Sequence, residues 1–164
     1  MGEREMLLVF AAMFFFSMTS ISVNRFCLSN SEVIMEREFI YYATSLAQRI
    51  IEEAKTRAFD QTVVNNPATN PPYSFGYWGH GPNEEYPNFT DVDDYNGLNL
   101  PVTADVNGPK VNYTVQVQVG YVEEHDLDTI VGPETFHKKM IVTVTSDFIS
   151  APVVLSHIFS YYEF

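Results

Sequence analysis

The chain has 164 residues, a length that suits one domain with one additional element. It carries 21 acidic and nine basic side chains, which give a formal net charge of −12. Binding to nucleic acid or to an anionic lipid surface requires cationic side chains that neutralise phosphates, so this charge argues against both. Cys27 is the single cysteine of the sequence, so these residues form no intrachain disulfide.

The first predicted element is an apolar segment that begins directly after Glu5. Eleven consecutive apolar residues run from Met6 to Phe16. A cleaved secretory signal has a basic start and a small-residue cleavage site, whereas this chain starts with the mixed charges of MGERE. A membrane anchor needs roughly 20 apolar residues. The segment reaches that length only when the Ser and Thr residues up to position 23 are included.

Helical character continues well beyond this segment, because no Gly or Pro occurs between Gly2 and Pro67. A single helix from about Glu3 to Phe59 would be roughly 80 Å long at 1.5 Å per residue. Its first half is apolar nearly all round and has to be covered by a membrane or by other copies of the chain. Its second half is amphipathic, with apolar side chains at spacings of three and four residues. The predicted buried stripe consists of Phe39, Tyr42, Ala43, Leu46, Ile50 and Ala54.

The middle of this helix is rich in residues that form helices poorly. Their short polar side chains compete for backbone hydrogen bonds. These residues are Ser17, Thr19, Ser20, Ser22 and Asn24. The sequence therefore predicts a local break or stretch of the helix between Ser17 and Asn24.

A sheet is predicted after the helix. Residues 61–110 are rich in Pro and Gly and predict a long irregular loop. The stretch VNYTVQVQVGYV (111–122) alternates strictly and predicts a half-buried antiparallel strand. KKMIVTVTSDF and VVLSHIFSYYEF predict two more strands within 111–164, with the Glu123–Pro133 stretch as a connection. The predicted fold class is α+β, a long N-terminal helix packed on a small antiparallel sheet, with a boundary between 1–29 and a globular head, 30–164.

The position of Glu5 before an apolar segment, the single long helix and the stretch YYATSLAQRIIEEAKTRAFDQ together resemble the type IV pilin family, including the pseudopilins of type II secretion. The resemblance implies a structural subunit, not an enzyme, that polymerises into a helical filament at the cell surface. It further implies cleavage of a short leader by a prepilin peptidase, insertion in the inner membrane and handling by the pilus assembly machinery. The chain departs from the family in having Gly2, Glu3 and Arg4 where apolar residues are usual, and in lacking the common mid-helix Pro.

The resemblance also assigns an assembly role to the N-terminal residues. If Met1 is the mature N-terminus, Glu5 occupies the position where the family's glutamate neutralises the amine of an adjacent subunit. Arg4 of a neighbour is an alternative partner for that carboxylate. The residues expected to act in assembly are Met1, Arg4, Glu5, Phe10, Phe14 and Phe15.

Two other functions remain open from the sequence. One is a pseudopilin or minor subunit of a secretion system, which would form short assemblies. The other is a monomeric bitopic membrane protein with a ligand-binding sheet domain, in which Glu5 stays in the headgroup layer. Only a major subunit of the pilin type would give long fibres.

The stretch TDVDDYNG crowds acidic side chains before Gly97. Carboxylates and amide oxygens are the ligands that Ca²⁺ prefers, so Asp91, Asp93, Asp94 and Asn96 form a candidate calcium site. The spacing misses the EF-hand pattern by one residue, and a solvated acidic turn is the alternative. The four His residues lack metal-ligand spacing, and the sequence contains none of the common nucleophile or nucleotide-binding motifs, so no enzymatic activity and no other cofactor are expected.

Overall fold

The computed structural model describes residues 2–64, 75–76, 78–81, 84–106, 108 and 110–161. They form one long helix, five strands and two short 3-10 helices, at Gln61–Val64 and Asp93–Tyr95. The long elements are α1 (Glu3–Lys55), β1 (Asn99–Asp105), β2 (Lys110–Glu123), β3 (Asp126–Val131), β4 (His137–Ser146) and β5 (Val153–Ser160). The predicted α+β class, a long N-terminal helix packed on an antiparallel sheet, is confirmed. The chain divides into two compact units, 1–38 and 39–164.

Helix α1 is continuous through the region between Ser17 and Asn24, so the predicted break is wrong. The hydroxyls of Ser17 and Ser22 donate to the backbone carbonyls four residues earlier, at 2.8 and 2.9 Å. A carbonyl oxygen has two lone pairs, so it can accept this bond and keep its place in the helical ladder. The polar side chains of this region therefore bond to the helix backbone and do not interrupt it.

The sheet has the strand order β1-β2-β4-β5, and β3 pairs with the far end of β2 on the same edge as β1. All pairings are antiparallel. The predicted inward face of β2 is confirmed, because alternate side chains along it are buried. These side chains belong to Val111, Tyr113, Val115, Val117, Val119 and Tyr121.

Two of the five strands were not expected from the sequence, and both lie in segments predicted as connections. β1 lies within 61–110, the predicted irregular loop, and β3 lies within the Glu123–Pro133 stretch. Neither strand has a fully buried side chain. In β1 the apolar residues Leu100, Val102 and Ala104 alternate with exposed residues but are only partly buried against the core, and β3 is exposed along nearly its whole length. β1 also contains Pro101, a residue that an edge strand tolerates because its outer side needs no backbone donor.

The core lies between the second half of α1 and the inner faces of β2 and β4. The predicted stripe on α1 is buried there, with Tyr42 only partly covered, and Ala47 and Ile51 join it. Strand β4 contributes Met140, Val142 and Val144, none of which has exposed surface. One helix face and one sheet face thus form the apolar core of unit 39–164.

Part of the segment before β1 also belongs to this core, which corrects the prediction of an irregular loop. Phe89, Val92 and Tyr95 are buried among the core residues. The hydroxyls of Tyr86 and Tyr95 donate to the Glu53 carboxylate of α1, at 3.1 and 3.0 Å. These hydrogen bonds and buried rings fix the segment on the helix, which determines where its acidic residues lie.

The core predicts different effects for two isoleucines of α1. Ile50 is 1% exposed and Ile40 is 37% exposed. In a fragment that begins at Asn30, we expect Ile50→Ala to lower the free energy of unfolding by about 2–5 kcal/mol, because it leaves a cavity. Ile40→Ala changes the same chemical groups without a cavity, and the better helix propensity of alanine offsets part of its loss. Urea unfolding followed by circular dichroism measures both, and equal losses would contradict the placement of the core.

Candidate functional site

The first candidate site is the exposed apolar surface of α1 within unit 1–38. Leu8, Phe14 and Phe16 are 71%, 64% and 76% exposed. Phe10 and Phe15 are exposed too, and the rings of Phe14 and Phe15 meet edge to face with centroids 6.3 Å apart. By length and composition this helix can cross a membrane. An exposed apolar surface of this extent marks a membrane or a protein interaction site.

Glu5 has a local role at the start of this helix. Its carboxylate accepts a hydrogen bond from the backbone N–H of Gly2, at 3.2 Å. Gly2 directly precedes the helix and Glu5 is the third helical residue, which is the reciprocal half of a capping box. Glu5 is exposed, and a carboxylate accepts several hydrogen bonds, so the cap leaves room for a further donor. Arg4 is exposed on the same first turn, whereas Met1 lies outside the described residues.

The second candidate site is a buried group of charged side chains in unit 39–164, here termed the Asp–Lys cluster. It consists of Asp60, Asp91, Asp93 and Lys138, all of them buried. One carboxylate oxygen from each Asp lies within 4.8 Å of the others. The Lys138 ammonium forms an ion pair with Asp93 and lies 3.6 Å from Asp60 Oδ2. The cluster therefore contains three carboxyl groups and one internal cation.

Strand β4 places Lys138 in this position. Lys138 shares the inward face of the strand with Met140, Val142 and Val144, so the side chain enters the interior where the apolar core ends. Its Nζ donates to the Phe59 carbonyl oxygen at 2.7 Å. The same atom lies 4.5 Å from the ring centroid of Phe59, a distance at which a cation is attracted to an aromatic face.

Three more aromatic rings surround the Lys138 ammonium. Its Nζ lies 5.5 Å from the ring centroid of Tyr121, 5.6 Å from that of Trp78 and 5.9 Å from that of Phe75. The ring of Phe75 packs in turn against Phe59 and Tyr121. These rings shield the cluster from water and so strengthen every electrostatic interaction inside it.

The carboxyl groups of the cluster are held by backbone N–H groups. Gly76 and Thr62 donate to Asp60 Oδ1, at 3.2 and 2.9 Å. Gly79 donates to Asp93 Oδ2 at 3.0 Å. Each of these N–H groups fixes the orientation of its carboxylate, so the positions of the acceptor oxygens are determined by the surrounding loop.

The protonation of Asp91 is affected by its position in the cluster. Burial raises the pKa of its carboxyl to about 7, and the nearby Asp93 charge adds to the rise. The N–H of Gln61, which donates to Asp91 Oδ2 at 2.9 Å, and the Lys138 charge both act in the opposite direction. Near neutral pH the Asp91 carboxyl is therefore present in both forms, and the neutral form reduces the repulsion within the cluster.

The predicted calcium ligands are separated in the structure. Asp91 and Asp93 belong to the Asp–Lys cluster, whereas Asp94 accepts hydrogen bonds from the backbone of Thr90 and Asp91, at 2.8 and 3.1 Å. Asn96 Oδ1 accepts the backbone N–H of Val119 at 3.0 Å. Two of the four side chains therefore stabilise the local backbone. Asp91 and Asp93 instead share their site with Asp60, three carboxyl groups close enough together to hold a metal ion, and with the amine of Lys138.

Sequence reasoning missed Asp60 and Lys138. Asp60 is brought beside Asp91 by a parallel bridge between Ala58 and Asp91, in which the Val92 N–H donates to the Ala58 carbonyl at 3.1 Å. No local pattern signals a bridge between residues as far apart in the sequence as Ala58 and Asp91. Lys138 did carry a signal, because the two-residue period of β4 places it on the same face as Met140 and Val142.

Comparison of the chain with protein-family models, with curated proteins and with solved structures found no match. A proposal for the function therefore depends on the two sites themselves. One is an apolar helix surface with a carboxylate at its end, and the other is a buried charged cluster. The first offers an interaction surface, and the second offers reactive groups in a dry setting.

The Asp–Lys cluster predicts that Lys138 is needed for stability. We expect Lys138→Met to lower the free energy of unfolding by about 3–5 kcal/mol, because it leaves buried carboxyl groups, Asp93 among them, without the side chain that pairs with them. A carboxyl whose pKa is raised on folding favours the native state at low pH, and that advantage is lost as pH rises through the raised pKa. The raised pKa of Asp91 is about 7. The destabilisation caused by Lys138→Met should therefore be smaller at pH 5, where the Asp91 carboxyl is mostly neutral, than at pH 8, where it is mostly charged.

Lys139→Met is the matched control for this prediction. Lys139 forms its ion pair with the exposed Asp128, at 2.9 Å. Lys139 is buried too, but Asp128 is exposed, so water solvates the carboxylate that Lys139→Met leaves unpaired, and we expect a loss of about 1 kcal/mol or less. Urea unfolding of both variants at the two pH values tests the difference. A Lys138→Met loss that matched the Lys139→Met loss at pH 8 would contradict the assigned role.

Proposed function

We propose that the chain is a pilin-type structural subunit that polymerises through the apolar first half of α1 into an extracellular, type IV pilus-like filament. The observation that carries the proposal is the separation of two kinds of apolar surface along one helix. In residues 39–55 the apolar face of α1 is buried in the chain's own core, whereas residues 6–16 are exposed on all sides. A head with its own core can stay folded on the outside of a filament while other copies of the chain cover the exposed helix surface.

The energetics favour burial of this surface. Full burial of a Leu, Met or Phe side chain contributes roughly 1.5–3 kcal/mol. Residues 6–16 supply eleven apolar side chains, so burying all of them contributes several times the free energy gained from one side chain. A membrane covers them in the isolated subunit, and neighbouring helices cover them in a filament. The proposed path therefore runs from the inner membrane to the filament.

Glu5 is proposed to set the stagger between neighbouring subunits. In a filament the N-terminal ends of the helices approach the axis, where an unpaired carboxylate is penalised by several kcal/mol. A partner that brings a positive charge, either the N-terminal amine or Arg4 of the next subunit, removes that penalty at one axial position. The hydrogen bond from the Gly2 N–H holds the carboxylate at the end of the helix, which supports a role for it in a contact at that end.

A specific observation favours one rival, a monomeric membrane protein. The Gly2 bond gives Glu5 a function within a single chain, and the helix has the length and composition to span a bilayer. A short assembly of the pseudopilin kind would use the same helix surface as a long filament. Two properties separate these cases: only the major filament subunit yields long fibres, and only in an assembly does the fibre yield depend on Glu5.

The exposed phenylalanines predict an assembly defect. Phe14→Asp should abolish fibres in sheared cell-surface material viewed by negative-stain microscopy, because a carboxylate would be buried among apolar side chains. The head, whose core lies in unit 39–164, should remain folded by circular dichroism. Phe14→Leu keeps an apolar side chain of similar reach and should still form fibres. Normal fibres from Phe14→Asp, or none from the unaltered chain, would overturn the proposal.

Glu5→Ala distinguishes a filament from a membrane anchor. In a filament subunit it should reduce fibre number by at least about tenfold, because loss of one charge pair costs more than 1.4 kcal/mol per contact. Recovery in the membrane fraction should not fall, because the change makes the segment more apolar. Glu3→Ala, in the same helical turn, is the control and should leave fibres largely intact. A Glu5→Ala strain with the fibre length and number of the unaltered strain would remove the assembly role of Glu5.

A further inference from the structure

We propose that Lys138 and Asp93 form an intramolecular amide bond, a covalent cross-link between strand β4 and the 3-10 helix before β1. The proposal concerns the head alone and is independent of filament formation. It rests on the direct contact between Lys138 Nζ and Asp93 Oδ1 within the Asp–Lys cluster. Both side chains are buried, with 0% and 1% of their surface exposed, so the amine and the carboxyl group are held together without competing water.

The geometry selects Asp93 over the other two carboxyl groups. Asp60 Oδ2 is 3.6 Å from the amine, and Asp60 Oδ1 already accepts bonds from Thr62 and Gly76. Asp93 presents one oxygen to the amine, while its other oxygen accepts the Gly79 N–H at 3.0 Å. When the amine adds to the carboxyl carbon, negative charge develops on an oxygen of that group. A backbone N–H already aimed at that oxygen is the kind of donor that stabilises such a charge.

The reaction is a condensation with no oxidant or reductant. A proton passes from the lysine ammonium to the aspartate carboxylate, which gives a neutral amine and a neutral carboxylic acid. The Nζ lone pair forms a bond to Cγ of Asp93, and the bond from Cγ to the oxygen facing the lysine breaks. That oxygen leaves as water with one proton from the acid and one from nitrogen. The product is a neutral secondary amide.

The surroundings favour this product. Two buried charges carry a desolvation penalty, and a neutral amide does not. The rings of Phe59, Trp78 and Tyr121 around the ammonium increase that penalty by excluding water. Asp91 has a carboxylate oxygen within 4.8 Å of one on Asp93, so we assign to it the transfer of protons between nitrogen and the leaving oxygen, a task that its pKa of about 7 suits.

A cross-link at this position would join parts of the head that are far apart in sequence. Lys138 and Asp93 are separated by 45 residues. The enclosed segment contains β1, β2 and β3, so the bond would limit how far the sheet can open when the chain unfolds or is pulled. A covalent bond that closes a loop of this length stabilises the fold mainly by restricting the conformations of the unfolded chain.

Peptide mapping of the full-length protein, purified in detergent and denatured before digestion, tests the proposal. Trypsin does not cleave after an acylated lysine, so Lys138 should remain uncut. Peptide 58–110, which contains Asp93, should appear joined to peptide 111–139 at a mass one water below their sum. Tandem mass spectrometry should place the branch at Lys138 and Asp93. Separate peptides with cleavage after Lys138 would overturn the proposal.

Three variants sharpen the result. In Lys138→Met the branched peptide and the loss of water should both disappear, whereas Lys139→Met should keep the cross-link. Loss of water that persists in Lys138→Met would point to a cyclic aspartimide and overturn the amide. Asp91→Asn should lower the cross-linked fraction, and complete cross-linking in that variant would overturn the role given to Asp91 as proton carrier.

Discussion

The packing of one face of α1 on the inner faces of β2 and β4 is the interaction on which the rest of the head depends. It joins the apolar residues of Phe39–Ala54 to two strands that are adjacent in the sheet but separated in sequence by β3. Once this face is closed, the segment before β1 can bury Phe89, Val92 and Tyr95 against the same core. That segment carries Asp91 and Asp93, so the apolar packing also determines where the charged groups meet.

The charged cluster lies where the apolar face of β4 ends, and this position explains its properties. Lys138 follows the register of Met140 and Val142 into the interior, so burial of its charge is imposed by the strand. Three carboxyl groups lie around its amine, and backbone N–H groups of Gly76, Gly79 and Gln61 donate hydrogen bonds to them. A buried ion pair of this kind contributes little net stability when intact, but loss of one partner is costly. A covalent bond between the partners would remove the need to keep charges in a dry site.

The first half of α1 obeys a different constraint. Its side chains are apolar on every face, so no single sheet could cover it, and the part of the chain that the structure describes leaves residues 6–16 exposed. The hydroxyls of Ser17 and Ser22 bond to the helix backbone and so present little unpaired polarity to an apolar environment. A helix of this composition suits a bilayer and a bundle of identical copies equally well. The carboxylate of Glu5 at its end is what favours an ordered bundle in the proposed function.

The sequence by itself determined the elements whose patterns are strong and local. The long helix, the buried stripe on its second half and the alternating face of β2 follow from periods of 3.6 and 2 residues, and the α+β class follows from their order. The edge strands β1 and β3, which have no fully buried side chain, were not predicted, and neither was the continuity of α1 through Ser17–Asn24. Only the tertiary structure decided which acidic side chains meet, because Asp60, Asp91 and Lys138 lie far apart in the chain. The period of β4 indicates that Lys138 points inward, but its meeting with the carboxyl groups depends on a backbone bridge and a closed core, which leave no local trace in the residues themselves.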